Sequence, residues 1–84
     1  MKNSYEIQVR AQCPVNPDDI DLYFFELESE DTVEVEKIIS FFKEHAGTKQ
    51  LFQERLTQMC AVTLGMKVTS IGYHSGVKVV SRAP

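Results

Sequence analysis

From Tyr5 to Val15 the chain alternates. Tyr5, Ile7, Val9, Ala11, Cys13 and Val15 fall on one side, and Glu6, Gln8, Arg10 and Gln12 on the other. A period of two predicts a half-buried strand with one wet face. Asn16-Pro17-Asp18-Asp19 is turn chemistry, because proline presets φ and the Asn and Asp side chains bond their own backbone. Ile20 to Glu28 reads as a second strand, and the short connection makes the pair an antiparallel hairpin. Tyr23, Phe24 and Phe25 are consecutive and cannot all face one side, so aromatic surface is expected away from the core or at a sheet edge.

The period then changes. Asp31 with Glu34 three residues on has the spacing of a capping box and predicts a helix start. Val35, Ile38, Ile39 and Phe42 share one helical face, and Gly47 is expected to end the segment. Thr48 is the candidate cap of a second helix, along which Phe52, Leu56, Met59, Cys60 and Thr63 keep the helical period until Gly65. Lys67 to Tyr73 and Val77 to Ser81 are β-rich segments around a tight Ser75-Gly76 turn, and Arg82-Ala83-Pro84 reads as a frayed tail. The order is β-β-α-α-β-β. It predicts one α+β domain over residues 1–84, with four antiparallel strands carrying both helices on one face.

Size sharpens this picture. An 84-residue chain buries only about 60–65% of its unfolded surface, so its core is marginal without a staple. The two cysteines, Cys13 and Cys60, lie in different predicted elements and on apolar faces. That argues against a disulfide framework and for a reducing compartment. His45 and His74 stand alone, and no Cys/His spacing suits zinc, so no metal is expected. Oligomerisation is left as the supplement, and open strand edges fit it. The net charge of −3 and scattered basic residues give no electrostatic reason to expect nucleic-acid or anionic-membrane binding. Met1-Lys2-Asn3-Ser4 leads into a strand with no apolar signal core, and no run reaches membrane-spanning length. The expected location is the cytoplasm.

The chemistry-bearing stretch is Cys13-Pro14-Val15-Asn16-Pro17-Asp18-Asp19-Ile20-Asp21. It sets a thiol at a strand end beside a proline-braced turn with three carboxylates, which suits a nucleophile with an acid partner. It also suits an apolar cysteine facing a core. Carboxylates raise a thiol's pKa rather than activate it, so their use would be proton delivery.

Three local features resemble the tunnelling fold, or T-fold, and within it the queuosine-pathway nitrile reductase and its amidotransferase-like relatives. They are Cys13-Pro14 with the aspartate-containing turn, Phe52-Gln53-Glu54 in place of the family's Phe-His-Glu, and Gly72-Tyr73-His74-Ser75-Gly76-Val77 in the final hairpin. The resemblance spans nearly the whole chain. It implies subunits joined edge to edge into barrels, with purine-like or pterin-like ligands held at the interfaces. It implies Cys13 as the thiol that forms a covalent thioimide with a nitrile carbon. A turn aspartate, Asp19 or Asp21, would manage the proton. Glu54 would anchor a purine-like ring through its N–H groups, with Phe52 and His74 beside the ligand.

The chain also departs from that pattern. The reductase's Glu-Ser-Lys-Ser type motif falls on Val33-Glu34-Val35-Glu36-Lys37, where only the first Glu could align. The motif's lysine position holds Glu36, and no hydroxyl suited to a phosphate is present. No nicotinamide or other cofactor is expected. Gln53 stands where the family has histidine and cannot act as an acid or base. The amidine-forming branch, which adds an amine instead of hydride, or a non-redox relative therefore fits better than the reductase. Plainer readings stand beside these: Glu54 as a solvated residue early in a helix, His74 as a solvent-facing turn residue, and Cys60 as core. The alternative for the whole chain is a non-catalytic oligomeric or partner-binding module on the same scaffold.

Overall fold

A computed structural model describes residues 1–12, 15, 20–50 and 52–84, with backbone alone at 12 and 47–50. Its elements are β1 (Asn3–Gln12), β2 (Ile20–Ser29), α1 (Val35–His45), β3 (Gly47–Gln50), α2 (Gln53–Leu64), β4 (Lys67–His74) and β5 (Val77–Ala83). The sheet order is β3-β1-β2-β4-β5. The β1-β2, β2-β4 and β4-β5 ladders are antiparallel, as the α+β reading requires. β3 adds a short parallel edge against β1, which the sequence did not foretell.

Alternation sorts each strand. Tyr23, Phe25 and Leu27 of β2 are buried with Val9 and Ala11 of β1 and Val68 of β4, beneath Ile38, Phe41 and Phe42 of α1 and Leu56, Cys60 and Ala61 of α2. Phe25 and Phe42 hold the sheet to α1, their ring centroids 4.8 Å apart. Burying such a side chain stabilises by about 1.5–3 kcal/mol. Gly72 lies opposite Tyr23 in the β2-β4 register. A Cβ there would stand 2.6 Å from the Tyr23 ring and 2.7 Å from Gln53 Oε1, so only glycine lets both sit over the strand. The opposite face carries Ile20, Leu22 and Phe24 of β2, Tyr73 of β4 and Val80 of β5, all exposed. This is the apolar surface that three consecutive aromatics foretold.

Several boundaries move. The first helix begins at Val35 behind Glu34, which makes no side-chain cap bond. Instead of a capping box, Ser29 Oγ accepts from the Asp31 amide at 3.1 Å, a turn that closes β2. The helix stops at His45, and Gly47 and Thr48 belong to β3. Pairing with β1 takes up backbone groups that would otherwise have opened a helix. α2 then starts at Gln53 with Phe52 at its cap. The buried faces shift accordingly: Phe41 is core where Val35 and Ile39 are exposed, and Gln53, Thr57 and Ala61 are buried where Phe52 and Thr63 are not. Gly65 closes α2 as expected, in the left-handed region at φ +65°. Ser75 and Gly76 both take positive φ, which fits the two-residue turn between β4 and β5. Val15 is an exposed bend rather than a core position. The carboxy-terminal tail is not frayed, since Arg82 and Ala83 pair with Thr69 and Val68.

Candidate active site

At one end of the sheet, the inward positions of β2 and β4 carry polar side chains instead of apolar ones. Asp21 and Tyr23 follow each other on the inner side of β2, two residues apart, and the Tyr23 hydroxyl donates to Asp21 Oδ2 at 3.2 Å. On β4 the inner series is Val68, Ser70, Gly72 and His74. His74 Nδ1 lies 3.8 Å from Asp21 Oδ2, with the Asp21 side chain 17% and the His74 side chain 38% exposed. The Tyr23 and His74 rings are tilted against each other at 5.9 Å.

From α2, Gln53 reaches into the same place. It is almost wholly buried, together with Thr57 and Ser70. Gln53 Nε2 donates to Val79 O at 3.0 Å, Ser70 Oγ at 3.1 Å and Ser70 O at 3.3 Å. Thr57 Oγ1 donates to Gln53 O at 2.7 Å. That uses its only proton, so the 2.6 Å contact between Thr57 and Ser70 must run from Ser70 Oγ–H to Thr57 Oγ1. The loop closes on itself with every member satisfied, and no buried side-chain polar atom among the described residues lacks a partner. Such a network is stable in a small core because nothing in it is left unpaired. The remaining Gln53 atom, Oε1, lies 3.1 Å from His74 Nε2.

Of the site residues expected from the sequence, Asp21 and His74 are brought together. Cys13 and Asp19 lie outside the described residues. Ala11 pairs with Asp21 and Gln12 with Ile20, so β1 ends beside this cluster at Gln12, the residue before Cys13 in the sequence. Glu54 points elsewhere. It is exposed on α2 and lines a depression of about 380 Å³ with Thr57, Gln58, Ser81 and Arg82, along β5. Phe52 is 59% exposed at the head of α2. His74 is not the free turn residue of the plainer reading, since it bonds Gln53. Cys60 is core: burial pushes its thiol up to about 12.

Sequence reasoning passed over Gln53 because its side chain has no acid or base group. The signal was present in the spacing. Gln53, Leu56, Thr57, Cys60 and Ala61 form one helical face, with two polar residues at its start. Among the described residues no cluster of His, Cys, Asp and Glu is suited to a metal ion, and no helix is long and apolar enough to cross a membrane.

The architecture is that of the T-fold, a sheet with both helices on one face. Among solved structures it matches the crystal structure of the archaeosine synthase QueF-Like in its apo form, with a TM-score of 0.81 over 98% of this chain and 90% of that one. Sequence identity is 17%, so the likeness is one of fold. No family model and no curated protein matches the sequence.

Proposed function

We propose that this chain is a homo-oligomeric T-fold protein that binds a purine-like or deazapurine-like heterocycle between subunits, and that Cys13 adds covalently to a nitrile carbon of that ligand. In this step the Cys13 sulfur bonds the nitrile carbon. One π bond of the C≡N group moves to nitrogen as a lone pair, and the proton lost from sulfur ends on that nitrogen. Atoms and electrons balance without an oxidant or reductant, so the thioimide needs no nicotinamide.

The observation that carries this reading is the Asp21–His74 pair at the sheet end where β1 finishes at Gln12, one residue before Cys13 in the sequence. Asp21, held by the Tyr23 hydroxyl, handles the proton, with Asp19 as the other candidate. Glu54 orients the ring from across an interface. Its place in a depression beside the edge strand β5 suits a site completed by a second subunit. The fold shared with an archaeosine synthase supports the heterocycle class.

Intact-protein mass after exposure to a cyano-deazapurine tests the reading. The expected result is a covalent shift that disappears in Cys13→Ala, while that variant still binds the ligand reversibly. Glu54→Gln should weaken binding about ten- to a hundredfold, as hydrogen bonds to a charged partner are worth roughly 1.5–3 kcal/mol. No adduct in the wild type would leave the second reading, a non-catalytic association module, which the exposed Ile20, Leu22, Phe24, Tyr73 and Val80 face favours.

A further inference from the structure

Gln53 is chemically inert, yet it is the hub of the buried network. We infer that Gln53 is a positioning residue that sets the tautomer of His74 and thereby makes the His74–Asp21 pair a directed proton carrier. The functional half of this inference rests on the covalent reading above.

The hydrogen inventory fixes the arrangement. Gln53 Nε2 faces two main-chain carbonyls, Val79 O at 3.0 Å and Ser70 O at 3.3 Å. Carbonyl oxygens only accept, so the amide cannot be turned round without opposing oxygen to oxygen. Gln53 Oε1 is therefore the atom that meets His74 Nε2 at 3.1 Å, and it too only accepts. His74 must present Nε2–H to it. In the neutral ring this leaves the lone pair on Nδ1, the nitrogen that lies 3.8 Å from Asp21 Oδ2. A proton arriving at Nδ1 makes both ring nitrogens donors, one held by Gln53 and one facing the carboxylate. In the thioimide step the proton that leaves sulfur must rest somewhere before it reaches the ligand nitrogen. The His74–Asp21 pair is a place for it, and it needs no further reactant. Gly72 completes the device, because a Cβ there would stand 2.7 Å from Gln53 Oε1 and 2.6 Å from the Tyr23 ring that packs on His74.

Two-bond proton–nitrogen correlation spectra of the wild-type chain read the tautomer directly. Neutral His74 should appear as the Nε2–H form. In Gln53→Met, which keeps the length but removes the acceptor, His74 should return to exchanging tautomers. Adduct formation with a cyano-deazapurine should then slow about tenfold or more, a part of what general acid–base catalysis contributes, with reversible affinity little changed. An Nδ1–H or averaged ring in the wild type would overturn the inference, even if Gln53→Met failed to fold. An unchanged tautomer or adduct rate in folded Gln53→Met would overturn it too. Absence of adduct in the wild type would sink the covalent reading alone, because the tautomer is measured without ligand.

Discussion

Cys60 and Gly72 show how much a single position can hold in a domain this small. The Cys60 thiol is fully buried, and burial pushes it up to about 12 from 9.0. Below pH 9.0 folded and unfolded chains both keep the proton, and its contribution to stability is intact. Above pH 9.0 the unfolded chain releases the proton first, so stability is lost progressively as pH rises toward about 12. Alkaline melts should therefore fall less steeply in Cys60→Ala than in the wild type. In a Cys13→Ala background, the remaining thiol should resist alkylation at neutral pH and react once the chain is unfolded; fast labelling of the native state would contradict its burial. At Gly72 an added methyl meets a buried ring and a buried amide oxygen, at 2.6 and 2.7 Å. Gly72→Ala should cost about 1–3 kcal/mol. A thermal midpoint lowered by about 4–8 °C per kcal/mol would show it.

Among the elements, the segment boundaries depended on partners rather than on local signals. Asp31 and Glu34 have the spacing of a capping box, yet Asp31 is tied by its amide to Ser29 and Glu34 caps without its side chain. Asp31→Ala should therefore leave stability within about 0.5 kcal/mol of wild type, as for a surface change away from such features; a loss near that of a true cap would restore the capping box. Gly65 is the opposite case. Its φ of +65° is left-handed, and an added Cβ would meet no described atom within 4 Å. The cost of Gly65→Ala is therefore purely one of backbone, about 1 kcal/mol. Chemical denaturation of the two variants side by side separates these expectations. β3 was hidden from the sequence because four residues, Gly47 to Gln50, carry no period of their own. Only pairing with β1 defines them as a strand.

For the whole molecule, the surface is large for its mass. The chain exposes 5604 Å², where a compact monomer of 9.6 kDa exposes about 5,100 Å². Two layers spread over 40 × 24 × 17 Å leave one sheet face uncovered among the described residues, and β5 forms an edge of the sheet. Light scattering at micromolar concentration should give a symmetric homo-oligomer, and a stable monomer there would remove any site shared between subunits. The same preparation, given NADPH and a cyano-deazapurine, should not consume NADPH. Ligand-dependent loss of NADPH absorbance, abolished in Cys13→Ala, would mean that the stretch from Val33 to Lys37 holds a nicotinamide after all.

What the sequence determined by itself is the order of the six elements that carry a period, the inward face of β1, the helix stop at Gly65 and the Ser75-Gly76 turn. These follow from periods of two and 3.6 and from backbone that only a few residues adopt, all local physics. Asp21 and His74 were also legible as polar residues at strand ends. Their meeting was not, because it depends on the β2-β4 register, which joins residues far apart in the chain. Gln53 was decided by tertiary structure alone. An amide looks chemically idle in a sequence, and becomes decisive only where burial holds its nitrogen against carbonyl acceptors and so fixes where its oxygen points.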